Sequence, residues 1–183
     1  MPMTTNEAAE TLRDITRTER RSASAYGYGE ASPHLILWGL VWAVGYTFAW
    51  LRPQWNWTWL ALAVLGSLGS FWIGARARAG KRAGYDWRFG ATFAAVFLFI
   101  AALFAVMPPH TNNQAGAFFP ILVALGYALV GIWARGWRMT LLGAAVAALT
   151  LFGFFALPAQ FAPWMAVVGG GGLILGGFWL RSV

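Results

Sequence analysis

The chain has no cysteine, and six long stretches of it hold no Asp, Glu, Lys, Arg or His at all. The first absence excludes disulfides, thiol redox chemistry and thiolate metal sites. The second defines the class. The uncharged stretches are residues 35–51, 57–75, 89–107, 117–134, 139–157 and 164–180. Each is close to the ~20 apolar residues that carry a helix across about 30 Å of hydrocarbon. Spans without ionisable groups also lack the usual marks of proton relays, ion pathways and buried catalysis.

Acid and histidine are scarce as well. The six carboxylates, Glu7, Glu10, Asp14, Glu19, Glu30 and Asp86, all lie outside the spans and on one side of them. His34 and His110 are the only histidines, at opposite ends of the spans. About 30 Å of membrane separates them, so one subunit cannot bring both to a single metal. An acid–base pair from His34 and Asp86 requires separate segments to converge on one substrate. Pairing of Asp86 with a neighbouring arginine is the simpler reading. No catalytic residue, cofactor or metal is expected.

What charge remains is positive. The formal net charge is +7, from 13 Lys and Arg against 6 Asp and Glu. Its placement argues for a membrane rather than a nucleic acid. Arg13, Arg17, Arg20 and Arg21 precede the first span, and Arg76, Arg78, Lys81, Arg82 and Arg88 follow the second. Arg135 and Arg138 lie between the fourth and fifth, and Arg181 closes the sixth. The opposite connections hold only Arg52. The positive-inside rule then predicts both termini in the cytoplasm. The polar start lacks the short apolar core of a secretory signal, so none is expected. A bacterial inner membrane is the simplest location.

Two domains follow: residues 1–33 outside the membrane and 34–183 as a six-helix transmembrane domain. Residues 5–21 read as a helix with Glu10–Arg13 and Asp14–Arg17 one turn apart. Its apolar stripe is thin, consisting of Ala8, Leu12 and Ile15. Residues 22–33, with Tyr26-Gly27-Tyr28-Gly29, read as a flexible tether. Leu12, Ile15, Arg17, Arg20 and Arg21, with Arg76, Arg78, Lys81 and Arg82 of the basic loop, are the candidates for contact with anionic lipid headgroups or a protein partner. The acidic residues of 5–21 also complement that loop, as an internal electrostatic latch would.

Glycine supplies the other pattern. Gly69-x4-Gly74-x3-Arg78, Gly126-x4-Gly131-x3-Arg135 and Gly172-x4-Gly177-x3-Arg181 share one spacing. Early glycines and outer prolines recur in the partner spans. The pattern predicts an all-α bundle of three up-down hairpins, with a threefold internal repeat about the membrane normal. Generic preferences for small residues at helix contacts and arginine at cytoplasmic ends generate it equally well. Gly169-Gly170-Gly171-Gly172 with Gly176 and Gly177 predicts close packing of the sixth span, within the subunit or between copies. It also permits a broken helix or hinge. Of the twelve tryptophans, Trp50, Trp55, Trp57 and Trp59 gather at one level and Trp72, Trp133, Trp137 and Trp179 at the other, as headgroup belts do.

Two functions are consistent with these features. One is a non-catalytic membrane module that binds a partner or senses a membrane signal, with residues 5–21 and the basic loop as its output. The other is a channel or uniporter for a small neutral solute. Its path would be lined from Tyr46, Thr47, Ser67, Ser70, Thr92, Tyr127, Thr140 and Thr150.

Overall fold

The computed structural model describes the backbone of residues 5–55, 57–78 and 87–182. It describes side chains from residue 27 onward within those ranges, except at 78, 87–89 and 93. Among the described residues every regular element is a helix. The order is α1 (Thr5–Leu51), α2 (Trp57–Arg78), α3 (Trp87–Val106), α4 (Asn112–Trp133) and α5 (Trp137–Ala156). A 3₁₀ turn (Pro158–Gln160), α6 (Phe161–Trp164), a π-helical turn (Met165–Gly170) and α7 (Gly171–Arg181) complete it. Five stretches are long and apolar enough to cross a membrane: Gly27–Leu51, Trp57–Ala77, Asn112–Trp133, Trp137–Ala156 and Pro158–Arg181. Gly90–Val106 is a shorter apolar stretch within α3. Helices meet their backbone hydrogen-bonding needs internally, which is what a hydrocarbon solvent demands.

The tether expected over residues 22–33 is corrected by α1, which runs as one 47-residue helix straight through Pro33. The cause is a buried stripe. Tyr28, Ser32, Leu35, Gly39, Trp42 and Tyr46 are all buried, in alternating steps of four and three residues. That spacing keeps them on one helix face. Proline inside a helix costs about 3 kcal/mol, largely through the lost N–H and its clash with the preceding turn. Close fit of Tyr28 against Gly136 and of Leu35 in its cluster, with the Ser32 bonds to Gly177 and Arg181, offsets that cost. The carbonyl that Pro33 leaves without a donor belongs to Gly29, which is exposed.

Glycine contacts fix how the spans lie together. A Cβ on Gly39 would stand 2.8 Å from the Gly170 carbonyl oxygen, and one on Gly170 would stand 2.8 Å from that of Gly39. The two backbones therefore touch where α1 crosses the last span. Further along, Gly177 faces Ile36 and the Ser32 carbonyl, so the two helices are antiparallel. A Cβ on Gly143 would approach the Ala124 carbonyl at 2.5 Å and the Ala128 nitrogen at 2.7 Å, while Gly131 meets Thr140. These contacts zip α4 against α5. On α2, Gly66 meets Trp38 and Val41, and Gly69 meets Leu37.

The most extensive packing joins α4 to α5 and α1 to the last span. These pairs come from different hairpins of the sequence pattern. Loop connections make neighbours antiparallel; small residues decide which neighbours press together. The three equally spaced glycine motifs accordingly have unequal surroundings. Gly69, Gly131 and Gly177 are in contact, whereas a Cβ added at Gly126 or Gly172 would meet nothing within 4 Å.

The centre of the bundle is filled by Val41, Trp42, Tyr46, Ala117, Ala124, Val146, Phe161, Met165 and Leu173. Phe161, Met165 and Gly169 are buried at steps of four, through the π turn, whose i→i+5 bonding widens the helix. Two polar devices sit among them. Pro120 lies inside α4 and has no N–H, so the Gly116 carbonyl loses its helical donor. The Tyr46 hydroxyl takes that place, donating to the Gly116 oxygen at 2.5 Å. Thr150, fully buried, donates to the Val146 carbonyl at 2.7 Å.

Candidate functional site

At one end of the bundle the antiparallel contacts bring the middle of α1, residues 28–37, beside the C-terminal halves of α2, α4 and α7 and the start of α5. Tyr28 lies against Gly136, Leu37 against Gly69, and Ser32 against Gly177. Arg76, Arg135, Arg138 and Arg181 therefore share this end, and Arg52 sits at the other. A second apolar cluster closes it: Tyr28, Leu35, Met139, Leu142 and Leu180.

Polar links tie this end together. The Ser32 hydroxyl, fully buried, donates to the Gly177 carbonyl at 2.7 Å and accepts from Arg181 Nε at 2.8 Å. Arg181 closes α7, where a cation also suits the negative end of the helix dipole. Arg138 Nη1 donates to the Trp179 carbonyl at 3.0 Å. Its guanidinium carbon lies 4.9 Å from the Trp179 ring and 5.7 Å from the Trp137 ring. Those two indoles meet edge to face at 5.6 Å. Arg76 stacks over Trp72 at 5.1 Å, and Trp38 Nε1 donates to Ser70 Oγ at 3.0 Å.

The α4–α5 turn is tight. The Gly136 N–H reaches the Gly131 carbonyl and the Arg135 N–H that of Ile132, the paired bonds of a Schellman turn. Arg135 takes the left-handed position with φ 54°. Glycine is usual there, and an L side chain costs about 1–2 kcal/mol.

The residues expected from sequence divide clearly. Gly69, Gly131, Gly169, Gly176 and Gly177 pack against neighbouring side chains or backbone, Gly176 against Leu142 and Gly169 against Met165 and Trp42. Gly126 and Gly172 do not. Gly74 is partly covered. Most of the glycine face of the last span is thus spent within the subunit, on α1 and α5. The side chains of Leu12, Ile15, Arg17, Arg20, Arg21 and Arg78 lie outside the described residues, as do Lys81 and Arg82, and with them the contacts of the latch. Tyr28, Ser32, Arg138, Trp179 and Arg181 were not anticipated as a group. The α1 stripe at steps of four and three carries the signal for the first two.

No family model matches this chain, and no curated protein or solved structure is detectably similar to it.

Proposed function

We propose that the protein is a non-catalytic, six-span module of a bacterial inner membrane, with both termini in the cytoplasm. In this reading it binds a protein partner or passes on a membrane signal through residues 5–21 and the basic loop 76–88. One observation carries the reading: α1 is a single helix from Thr5 to Leu51. Its buried face runs from the arginine-rich end to Tyr46 in the bundle centre. A shift of the spans therefore moves the N-terminal segment with it, which a flexible tether would not do. The asymmetric basic residues argue for the cytoplasmic placement of that segment.

The alternative, a solute path along the axis of three hairpins, needs polar groups facing a channel. Three of the candidates spend their hydroxyls on carbonyls: Tyr46 on Gly116, Thr47 on Ala43 and Thr150 on Val146. The bundle centre between them is apolar. These features favour the module.

The test is affinity purification from native membranes in mild detergent, comparing the full chain with a variant lacking residues 1–22. Proteins that copurify are identified by mass spectrometry. A partner found only with the full chain supports the proposal and assigns the contact to the N-terminal helix. If neither form retains a partner and reconstituted vesicles pass a small neutral solute, the channel replaces the module.

A further inference from the structure

The α4–α5 turn and the end of α7 form a basic, indole-lined surface whose role is independent of partner binding. We propose that Arg138, held against the Trp137–Trp179 pair, binds the phosphate of an anionic phospholipid headgroup.

The guanidinium is held in place. One nitrogen is bonded to the Trp179 carbonyl, and the group packs against a pair of touching indoles at 4.9 and 5.7 Å. A guanidinium carries five N–H donors in a planar fork. Among the described residues Trp179 O is the one acceptor bonded to Arg138, which leaves the other donors for a ligand. A phosphate accepts two parallel N–H bonds from such a fork, and a group already fixed in position loses less entropy on binding.

The surroundings select a lipid. Arg135 and Arg181 place two more cations at the same end, residues 131–140 and 179–182 contain no acid, and these cations outnumber Glu30 on α1, the described acid at this end. Trp133 and Trp137 are 86% and 62% exposed. Indoles in that setting settle at headgroup depth. One helical turn from Arg138 and Trp179, Leu141 on α5 and Leu175 on α7 present exposed apolar side chains. Such a surface suits acyl chains directly below a phosphate. A soluble acidic peptide would leave those side chains uncovered. Arg135 also retains a side chain at a left-handed position that glycine would occupy with less strain. Its charge is thereby kept in the turn.

The probe is phosphatidylglycerol, with phosphatidylcholine of the same acyl chains as control. Full-length protein in neutral detergent is titrated with each, and retained lipid is counted by native mass spectrometry. Phosphatidylglycerol is expected to be retained in preference, and Arg138→Gln to weaken its retention about tenfold. Arg138→Lys is expected to fall between, since an ammonium keeps the charge but not the fork. Thermal melting by circular dichroism reports whether each variant folds. Should Arg138→Gln not fold, Arg135→Gly decides: glycine suits the left-handed turn, so the fold is retained while retention drops about two- to fivefold. Equal retention of the two lipids overturns the proposal, as does unchanged binding by folded variants. Stripping of the lipid by millimolar inorganic phosphate also overturns it, in favour of a free-anion site.

Discussion

The spans of α1 and α3 are both apolar and uncharged, over residues 35–51 and 89–106, yet they relate to the bundle in different ways. α1 touches the last span backbone to backbone at Gly39 and Gly170, and is bonded to it through Ser32, Gly177 and Arg181. The described ring contacts of α3 with the rest of the bundle are those of Phe104 with Phe118 and Phe119, at 5.1 and 6.1 Å. Phe97, Leu98 and Phe99 of α3 are 60, 71 and 59% exposed. Apolar surface gains nothing by leaving lipid for another helix, because lipid tails are equally apolar. What separates the two helices is fit. Glycines let α1 approach closely enough for dispersion contacts and for side-chain bonds to carbonyls.

The sharpest way to break this contrast is a single methyl group. A Cβ on Gly170 would lie 2.7 Å from the Ala43 nitrogen and 2.8 Å from the Gly39 oxygen, and backbone atoms cannot rotate away. Gly170→Ala should therefore force the helices apart and cost about 3 kcal/mol, at the upper end of overpacking effects. At Gly172, two residues on, nothing lies within 4 Å. Gly172→Ala should be neutral or stabilise by up to about 1 kcal/mol, the helix-propensity difference. Thermal unfolding of both variants in the same detergent measures the difference. Equal melting temperatures would mean that the glycine contact does not hold α1 to the last span.

Next in size is the replacement of a proline-freed bond. Tyr46→Phe removes the donor to the half-buried Gly116 carbonyl and should cost about 1–3 kcal/mol, the desolvation penalty of an unsatisfied acceptor. Pro120→Ala restores a backbone N–H to the same carbonyl. In that background the tyrosine substitution should cost measurably less, so a double-mutant cycle reads the coupling directly. Purely additive effects would show that the hydroxyl and the proline are unrelated. At the arginine-rich end, Ser32→Ala removes a donor to Gly177 and an acceptor for Arg181 Nε. The expected loss is about 1–2 kcal/mol, again by thermal unfolding. It is smaller because Arg181, which is exposed, can turn to solvent.

Apolar runs and their bounding charges were enough to locate the helices, because a hydrocarbon solvent permits little else at those lengths. The first helix was misread where local and longer-range signals disagree. Gly27, Gly29 and Pro33 are breakers by propensity, and they hid the stripe Tyr28–Ser32–Leu35 that continues upward to Tyr46. The partner of each helix was harder still. Equal glycine spacings in three spans gave no indication that Gly172 faces open space while Gly177 faces Ile36, since rotation about the helix axis is set by the assembled bundle. Pro120 takes a donor out of the α4 bond ladder and leaves the Gly116 carbonyl open. That Tyr46, 70 residues away, fills it depends on a tertiary contact. The site at Arg138 was likewise reduced to a positive-inside marker, because its indole neighbour Trp179 arrives from the far end of the chain.

The smallest expected effects lie on α3, and they test whether its exposed face is simply solvated by lipid. Phe97→Ala and Leu98→Ala should each change unfolding free energy by no more than about 0.5 kcal/mol, as substitutions away from packed contacts do. Phe104→Ala should cost about 0.5–1.5 kcal/mol, the contribution of its aromatic pairs to Phe118 and Phe119. The ordering matters more than the values. If Phe97→Ala proves as damaging as Phe104→Ala in detergent, a surface beyond this single chain must be packing against α3. The glycine-lined contact of α1 would then be one of two close-packed faces, and the contrast between the helices would be one of partner rather than of fit.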